Sequence, residues 1–285
     1  MQTRQRLSAI ILLLTASTSV TSVFCQNITI RTSDTLAGIG RKWTEAYMAK
    51  HAGARIEVTS GGTSAAFAAL AERKANIALV PRGIRFKEVQ PCEAAFGSRP
   101  TEFKVGVNGV AVYVNANSPV KMLTYDELEE IFRGKKRNWK GMGGNDAPIV
   151  AYGVATNTPA GELFVEEVLA GDAPAKDISI LAGTELFSAV AREPNAIGFG
   201  PLTQADGVRV LKIKRAFSST PVAPGEDTIS NRIYPISRWL YCYIDPAANK
   251  DAIKAYLDWI RSDEGQQIAR QAGYYPLPAK WRATP

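Results

Sequence analysis

Three times in this chain a strand-like run ends in a short turn crowded with hydroxyl side chains, and a helical run opens directly from it. Residues 59–67, Thr-Ser-Gly-Gly-Thr-Ser-Ala-Ala-Phe, follow the strand-like Arg-Ile-Glu-Val and lead into Ala-Ala-Leu-Ala-Glu. Thr32-Ser33-Asp34-Thr35 joins a strand at 28–31 to a helix near 36–50, and Thr156-Asn157-Thr158-Pro159 joins 149–153 to 162–169. A turn of this kind holds unpaired backbone N–H groups beside small side chains, at the positive end of a helix dipole. Three such turns in one chain point to a ligand cradle rather than an active site.

The candidate ligand contacts are Ser33 and Thr35 in the first turn, Gly62, Thr63 and Ser64 in the second, and Thr156, Asn157 and Thr158 in the third. Each hydroxyl also reads as an ordinary helix N-cap, and the two roles can coexist. Asp34 is a candidate of a different kind, because a carboxylate repels an anion unless the ligand carries a proton; helix capping is its main expected role. Pro159 suits the first helical position, where its missing N–H costs nothing. Arg82 could turn a positive charge into the cradle or sit exposed on its own lobe. Arg238 is expected to tie a hinge or an acidic partner rather than a ligand.

His51 is the sole histidine and follows a helix end at Lys50, so it reads as a solvated C-terminal cap. With one histidine, read as a solvated cap, and no clustered cysteines, a zinc site or a Ser-His-Asp triad is nearly excluded. No metal or cofactor is expected, and a secreted hydrolase lacks visible machinery. No arginine-rich run or aromatic-interleaved basic patch supports nucleic-acid binding, and Lys135-Lys136-Arg137 reads as a solvated turn. Trp139 and Trp259 read as core.

Residues 1–25 form an expected export signal. Arg4 and Arg6 precede an apolar run at 7–14, which is short for a bilayer span, and small or hydroxyl residues lead to Cys25. The protein is therefore placed in the periplasm or outside the cell. Lipid attachment at Cys25 is the alternative, disfavoured because Phe24 fits a lipoprotein cleavage box poorly. The full chain carries 34 basic and 27 acidic residues; losing Arg4 and Arg6 with the signal leaves a net charge of +5. That mild excess suits an anionic ligand or an acidic surface. Cys92 and Cys242 remain after cleavage. Cys242 lies in an apolar run, so a buried free thiol is the default, and pairing stays open.

The 285 residues have room for one large α/β domain or two lobes. Alternating strand and helix patterns predict an α/β fold with mainly parallel pairing. Two apolar runs, 103–114 and 234–244, read as crossovers between lobes; Gly106 and Gly109 lie inside the first. The expected division is residues 26–108 and 239–285 in lobe 1 and 109–238 in lobe 2, with a ligand between them. Thr124-Tyr-Asp-Glu127 is a capping box that starts a helix.

Across 27–279 the chain resembles the periplasmic phosphate-binding proteins of ABC phosphate transporters. The matching segments include Ser33-Asp34-Thr35-Leu36, Val58–Ser64, Leu123–Gly134, Asn195–Phe199, Tyr234–Arg238 and Gly273–Pro276. The resemblance implies a two-lobed, type II periplasmic-binding-protein-like fold with two hinge crossovers. It also implies a small inorganic oxyanion as ligand, ABC permease subunits as partners, no catalysis, and a monomer. Three positions depart from the family's phosphate clamp. Its arginine is here Val154, its threonine Ala160, and its acceptor aspartate Pro81, so a bidentate cationic contact is lost. A transport-incompetent member of the same fold, acting as a sensor or extracellular interaction protein, is the alternative expectation.

Overall fold

The computed structural model describes residues 27–248 and 251–282; the expected signal and Cys25 lie outside the described residues. The chain begins with β1 (Asn27–Thr32), a 3₁₀ turn (Asp34–Leu36), α1 (Ala37–Lys50), β2 (Arg55–Ser60), α2 (Thr63–Ala71), β3 (Ile77–Val80), α3 (Phe86–Phe96) and β4 (Thr101–Gly109). It continues through β5 (Ala111–Asn115), β6 (Met122–Thr124), α4 (Tyr125–Phe132), β7 (Val150–Gly153) and α5 (Pro159–Glu167). Next come β8 (Ser179–Ile180), α6 (Thr184–Arg192), β9 (Ala196–Gly200), β10 (Val208–Val210), β11 (Lys212–Lys214) and α7 (Glu226–Ser230). The chain closes with β12 (Ser237–Ile244), α8 (Asp251–Arg261) and α9 (Asp263–Gln271).

Two five-stranded sheets result, in the orders β2-β1-β3-β12-β4 and β10-β5-β9-β7-β8, beside a small β6–β11 pair. The first sheet is built from both ends of the chain and the second from its middle. Pairing is mixed, which corrects the expectation of mainly parallel strands. β1 runs parallel to β2 and β3, whereas β12 is antiparallel to β3 and β4, and β5 to β9 and β10. The reason lies in the connections: βα units return parallel, and the strands that bring the chain between lobes run back against them.

β3 shows how strand alternation builds two cores at once. Ile77 and Leu79 join Ile28, Ile30, Trp43 and Leu257 on one face of the sheet, and Ala78 and Val80 meet Phe67 and Leu70 of α2 on the other. In the second sheet Phe164 stacks on Phe199 at 3.8 Å, and Phe132 meets both rings edge-on. The expected long crossover strand divides at Val110 into β4 and β5. Val110 N–H donates to the Ile236 carbonyl at 3.1 Å, so both connections between the sheets lie side by side. Gly109 is needed there, because a Cβ would sit 2.5 Å from Ile229.

Several local expectations hold. Thr124 accepts from Glu127 N–H at 3.1 Å and Glu127 from Thr124 N–H at 2.8 Å, the reciprocal capping box. His51 caps α1: its N–H and ring Nδ1 both donate to the Tyr47 carbonyl, and the ring stacks on Tyr47 at 3.9 Å. Cys92 and Cys242 are free and buried. Burial pushes the Cys92 thiol up to about 11, with Glu88 adding to the effect, and raises Cys242 as well. Trp139 is buried, with its indole N–H donating to Asn195. Trp259 packs at the edge of the core, half-buried against Tyr47 and Tyr256, with its indole N–H donating to Glu264.

Candidate functional site

β1 and β2 are parallel with Thr32 opposite Ser60, so the first two hydroxyl turns leave the same end of one sheet. The third turn precedes α5 in the other sheet's lobe. It is brought to the first by one side chain: Thr35 Oγ1 donates to Glu162 Oε2 at 2.6 Å. Asn108 Nδ2 adds a second tie, donating to the Pro159 carbonyl at 2.8 Å. The first and third turns therefore meet between the sheets, and the second leaves the same sheet end as the first.

In the first turn Ser33 is buried and its hydroxyl lies 3.2 Å from that of Thr35. Tyr274 hydroxyl donates to the Thr35 carbonyl at 3.1 Å, anchoring the turn to the C-terminal tail. Asp34 does not cap. Ser33 is the N-cap of the 3₁₀ turn, and Asp34 is its exposed first residue, because the helical segment starts one residue earlier than capping by Asp34 requires.

In the second turn Gly62 is the N-cap of α2 at φ 88°, a left-handed conformation that a side chain would strain. Thr63 is already helical, and its first-turn N–H groups face away from the helix's own hydrogen bonds. Arg31, which the sequence reading passed over, lies against this turn. Its guanidinium donates to Thr59 Oγ1 at 3.2 Å and fills the space a Cβ on Gly61 would need. Among the described residues no carboxylate pairs with it.

Arg82 and Ser64 both serve a residue that the sequence reading also missed. Arg82 forms a fork on Glu88 at 2.8 and 2.7 Å and lies over the Phe67 ring. Ser64 Oγ donates to the same carboxylate at 3.2 Å, and Arg85 N–H does so at 2.9 Å. Burial alone would raise the Glu88 carboxyl, but the Arg82 fork and the other two donors outweigh it and hold Glu88 below its ordinary 4.5. Its only sequence signal is an acid in the first turn of a helix.

Thr158 caps α5, accepting from Gly161 N–H at 3.1 Å while donating to the Ala155 carbonyl at 2.7 Å. Gly161 is required: a Cβ there would lie 2.0 Å from the Ala155 oxygen, so the turn folds flat onto the helix start. Thr156 and Asn157 are exposed, and among the described residues their side chains make no hydrogen bond. Arg238 on β12 has the hinge role expected of it. Its buried guanidinium pairs with Glu162 Oε2 at 2.9 Å and with Glu166, both on α5.

Beside the third turn lies a cavity of about 500 Å³. Asn108, Gly109 and Gly273 form one wall, and Val154, Ala155 and Ala160 another. Pro81 is buried at the end of β3, away from that wall. Thus Val154 and Ala160 line this cavity, while Pro81 is not part of its lining.

Comparison with known proteins follows the same outline. A family model for a PBP superfamily domain matches residues 15–264. The chain is 30% identical over 265 residues to the phosphate-binding protein PstS of Pseudomonas aeruginosa, spanning 87% of this chain and 82% of that protein. PstS from Borrelia burgdorferi superposes with a TM-score of 0.75 at 19% identity, covering 89% of this chain and all of that one (100%). An ABC-type phosphate transport receptor from Vibrio cholerae gives 0.71 at 22% identity, covering 88% and 100%. These two likenesses establish the two-lobed α/β fold. With the family model spanning most of its length, the chain belongs to the PBP superfamily and, within it, to the family of the phosphate-binding proteins.

Proposed function

We propose that this protein is an exported receptor that captures phosphate, or a phosphate-like tetrahedral oxyanion, between its lobes and delivers it to an ABC-type permease. The observation that supports the reading is the contact of the first hydroxyl turn with the helix of the third, Thr35 on Glu162, while the second turn leaves the same sheet end as the first. Free N–H groups of the 3₁₀ turn before α1 and of the first turn of α2, with the hydroxyl of Thr63, supply donors at the positive ends of helix dipoles; the hydroxyls of Ser33 and Thr35, held on each other and on Glu162, join them when an anion displaces that contact. Arg31 adds a positive charge beside the second turn. Arg82 acts indirectly, by fixing the Glu88 carboxylate that holds Ser64 at the start of α2. Thr158 sets the third turn, and Thr156 and Asn157 contribute exposed donors that reach an anion when the lobes close on it.

Glu162 gives the site a chemical preference. A carboxylate accepts a hydrogen bond from an oxyanion that still carries a proton and repels one that carries none. Monohydrogen phosphate and arsenate are therefore favoured over sulfate. Nothing in this reading calls for bond making or breaking, and the protein acts as a monomer by closing its lobes and presenting the joined surface to the permease. Isothermal titration of the purified protein with phosphate, arsenate, sulfate and molybdate tests the reading. Binding of phosphate and arsenate with weak or absent sulfate binding supports it; silence toward every oxyanion overturns it.

A further inference from the structure

The cleft holds more space than a bare oxyanion fills. Beside the contacts Thr35–Glu162 and Asn108–Pro159, a cavity of about 500 Å³ lies along the third turn. At about 30 Å³ per water, that is room for many times the volume of a tetrahedral anion. Its walls are not those of an anion site: Val154, Ala155, Ala160 and Leu181 present alkyl groups, and Glu185 is the charged residue on its lining. Among the described residues no lysine, arginine or histidine lines it.

Thr158, Pro159 and Ala160 belong both to this cavity and to the third helix start, so the apolar space adjoins that part of the proposed cradle. The Thr158 hydroxyl is fully engaged as a cap, and one of the two Asn108 amide N–H groups donates to Pro159. Away from the helix start the wall offers contact area. An anionic head is disfavoured on the far side of the cavity, where Glu185 lies and no cation does, and is left to the helix starts. An uncharged, apolar body attached to that head fits.

We infer that the cleft accepts a tetrahedral oxyanion carrying an apolar organic substituent, an organophosphonate or a phosphate monoester. The head lies on the helix starts and the substituent lies against Val154, Ala160 and Leu181. This rests on the proposed anion-binding function and extends it to a ligand class. The two ligand types share the head and differ only in the bridging atom.

The test titrates the purified protein with methylphosphonate, phenylphosphonate, phenyl phosphate and inorganic phosphate. Methyl- and phenylphosphonate have the same head, so their ratio isolates the apolar body. Burying one aromatic ring is expected to tighten binding by roughly 10-fold or more. Either aryl compound reaching that margin supports the inference, and the preference between them identifies the bridging atom. Ala182→Phe fills the cavity from an exposed lining position outside the anion cradle. It should abolish the aryl advantage and leave inorganic phosphate binding unchanged. Equal affinities for methyl and phenyl compounds, or an aryl advantage that survives Ala182→Phe, overturn the inference while phosphate binding stands. If inorganic phosphate fails to bind as well, the anion-binding reading itself has failed.

Discussion

Thr35 and Glu162 stand 127 positions apart in the chain, yet the threonine hydroxyl donates to the glutamate carboxylate at 2.6 Å across the cleft. The same oxygen accepts from Arg238, whose guanidinium also reaches Glu166. One carboxylate thus links a candidate ligand-binding turn, a helix of the opposite lobe and a strand at the hinge. Under the proposed function, closure of the lobes and occupancy of the cradle act on the same atoms.

Arg238→Met should be the most damaging change in this network. It leaves Glu162 and Glu166 facing each other beside a buried position, a loss of about 3 kcal/mol for breaking one side of a buried pair. Glu162→Gln keeps a hydrogen-bonding shape and should cost only about 1 kcal/mol. Urea denaturation of both variants checks the order. An Arg238→Met protein as stable as the parent would show that the network does not hold the lobes.

Glu88 makes stability fall in acid. Its folded-state carboxyl titrates below the ordinary 4.5, so its contribution is complete above that value and disappears as pH drops through the lowered one. Thermal melts below about pH 4.5 should fall more steeply for the parent than for Glu88→Gln, which has already lost the ion pair with Arg82. Parallel curves would contradict this assignment.

Arg31 should matter through charge rather than shape. Arg31→Gln keeps the contact with Thr59 but removes the cation beside the second turn, and phosphate affinity should fall by about fivefold, equivalent to ~1 kcal/mol near water. The salt dependence of binding should flatten in parallel. An unchanged salt slope would place the anion away from Arg31.

Removing the cap of α5 separates structure from recognition. Thr158→Ala should cost about 1 kcal/mol of stability, and Thr158→Ser should restore most of it, since serine caps equally well. Melting curves of the pair give the answer, and equal losses in both variants would mean that the threonine methyl, rather than the cap, is what matters.

Both thiols should resist modification in the native protein. They are buried and raised above the ordinary thiol value, so little thiolate forms near neutral pH. Mass spectrometry after iodoacetamide treatment should show unmodified Cys92 and Cys242 until denaturant is added.

What the sequence made legible was local. The three strand–turn–helix boundaries, the Thr124 capping box and the His51 cap each depend on residues within a few positions of one another, where side-chain type decides backbone geometry. The two crossovers were legible because long apolar runs stand out against short βα strands. Strand direction was not, because an alternating pattern reads alike in parallel and antiparallel sheets, and so the reversed β5 and β12 went unseen. Charge partners were the other gap. Arg82 meets Glu88 rather than open cleft, Arg31 folds over Gly61, and Glu162 reaches Thr35, all through tertiary placement that no short motif encodes.

If amides and hydroxyls of these turns hold the anion between the lobes, a crystal structure of the protein grown with phosphate should reveal it there. Tetrahedral density is expected beside Thr35, Thr63 and the Thr158 turn, within hydrogen-bond reach of Glu162. An empty cleft at saturating phosphate, or density on the outer surface alone, would contradict it.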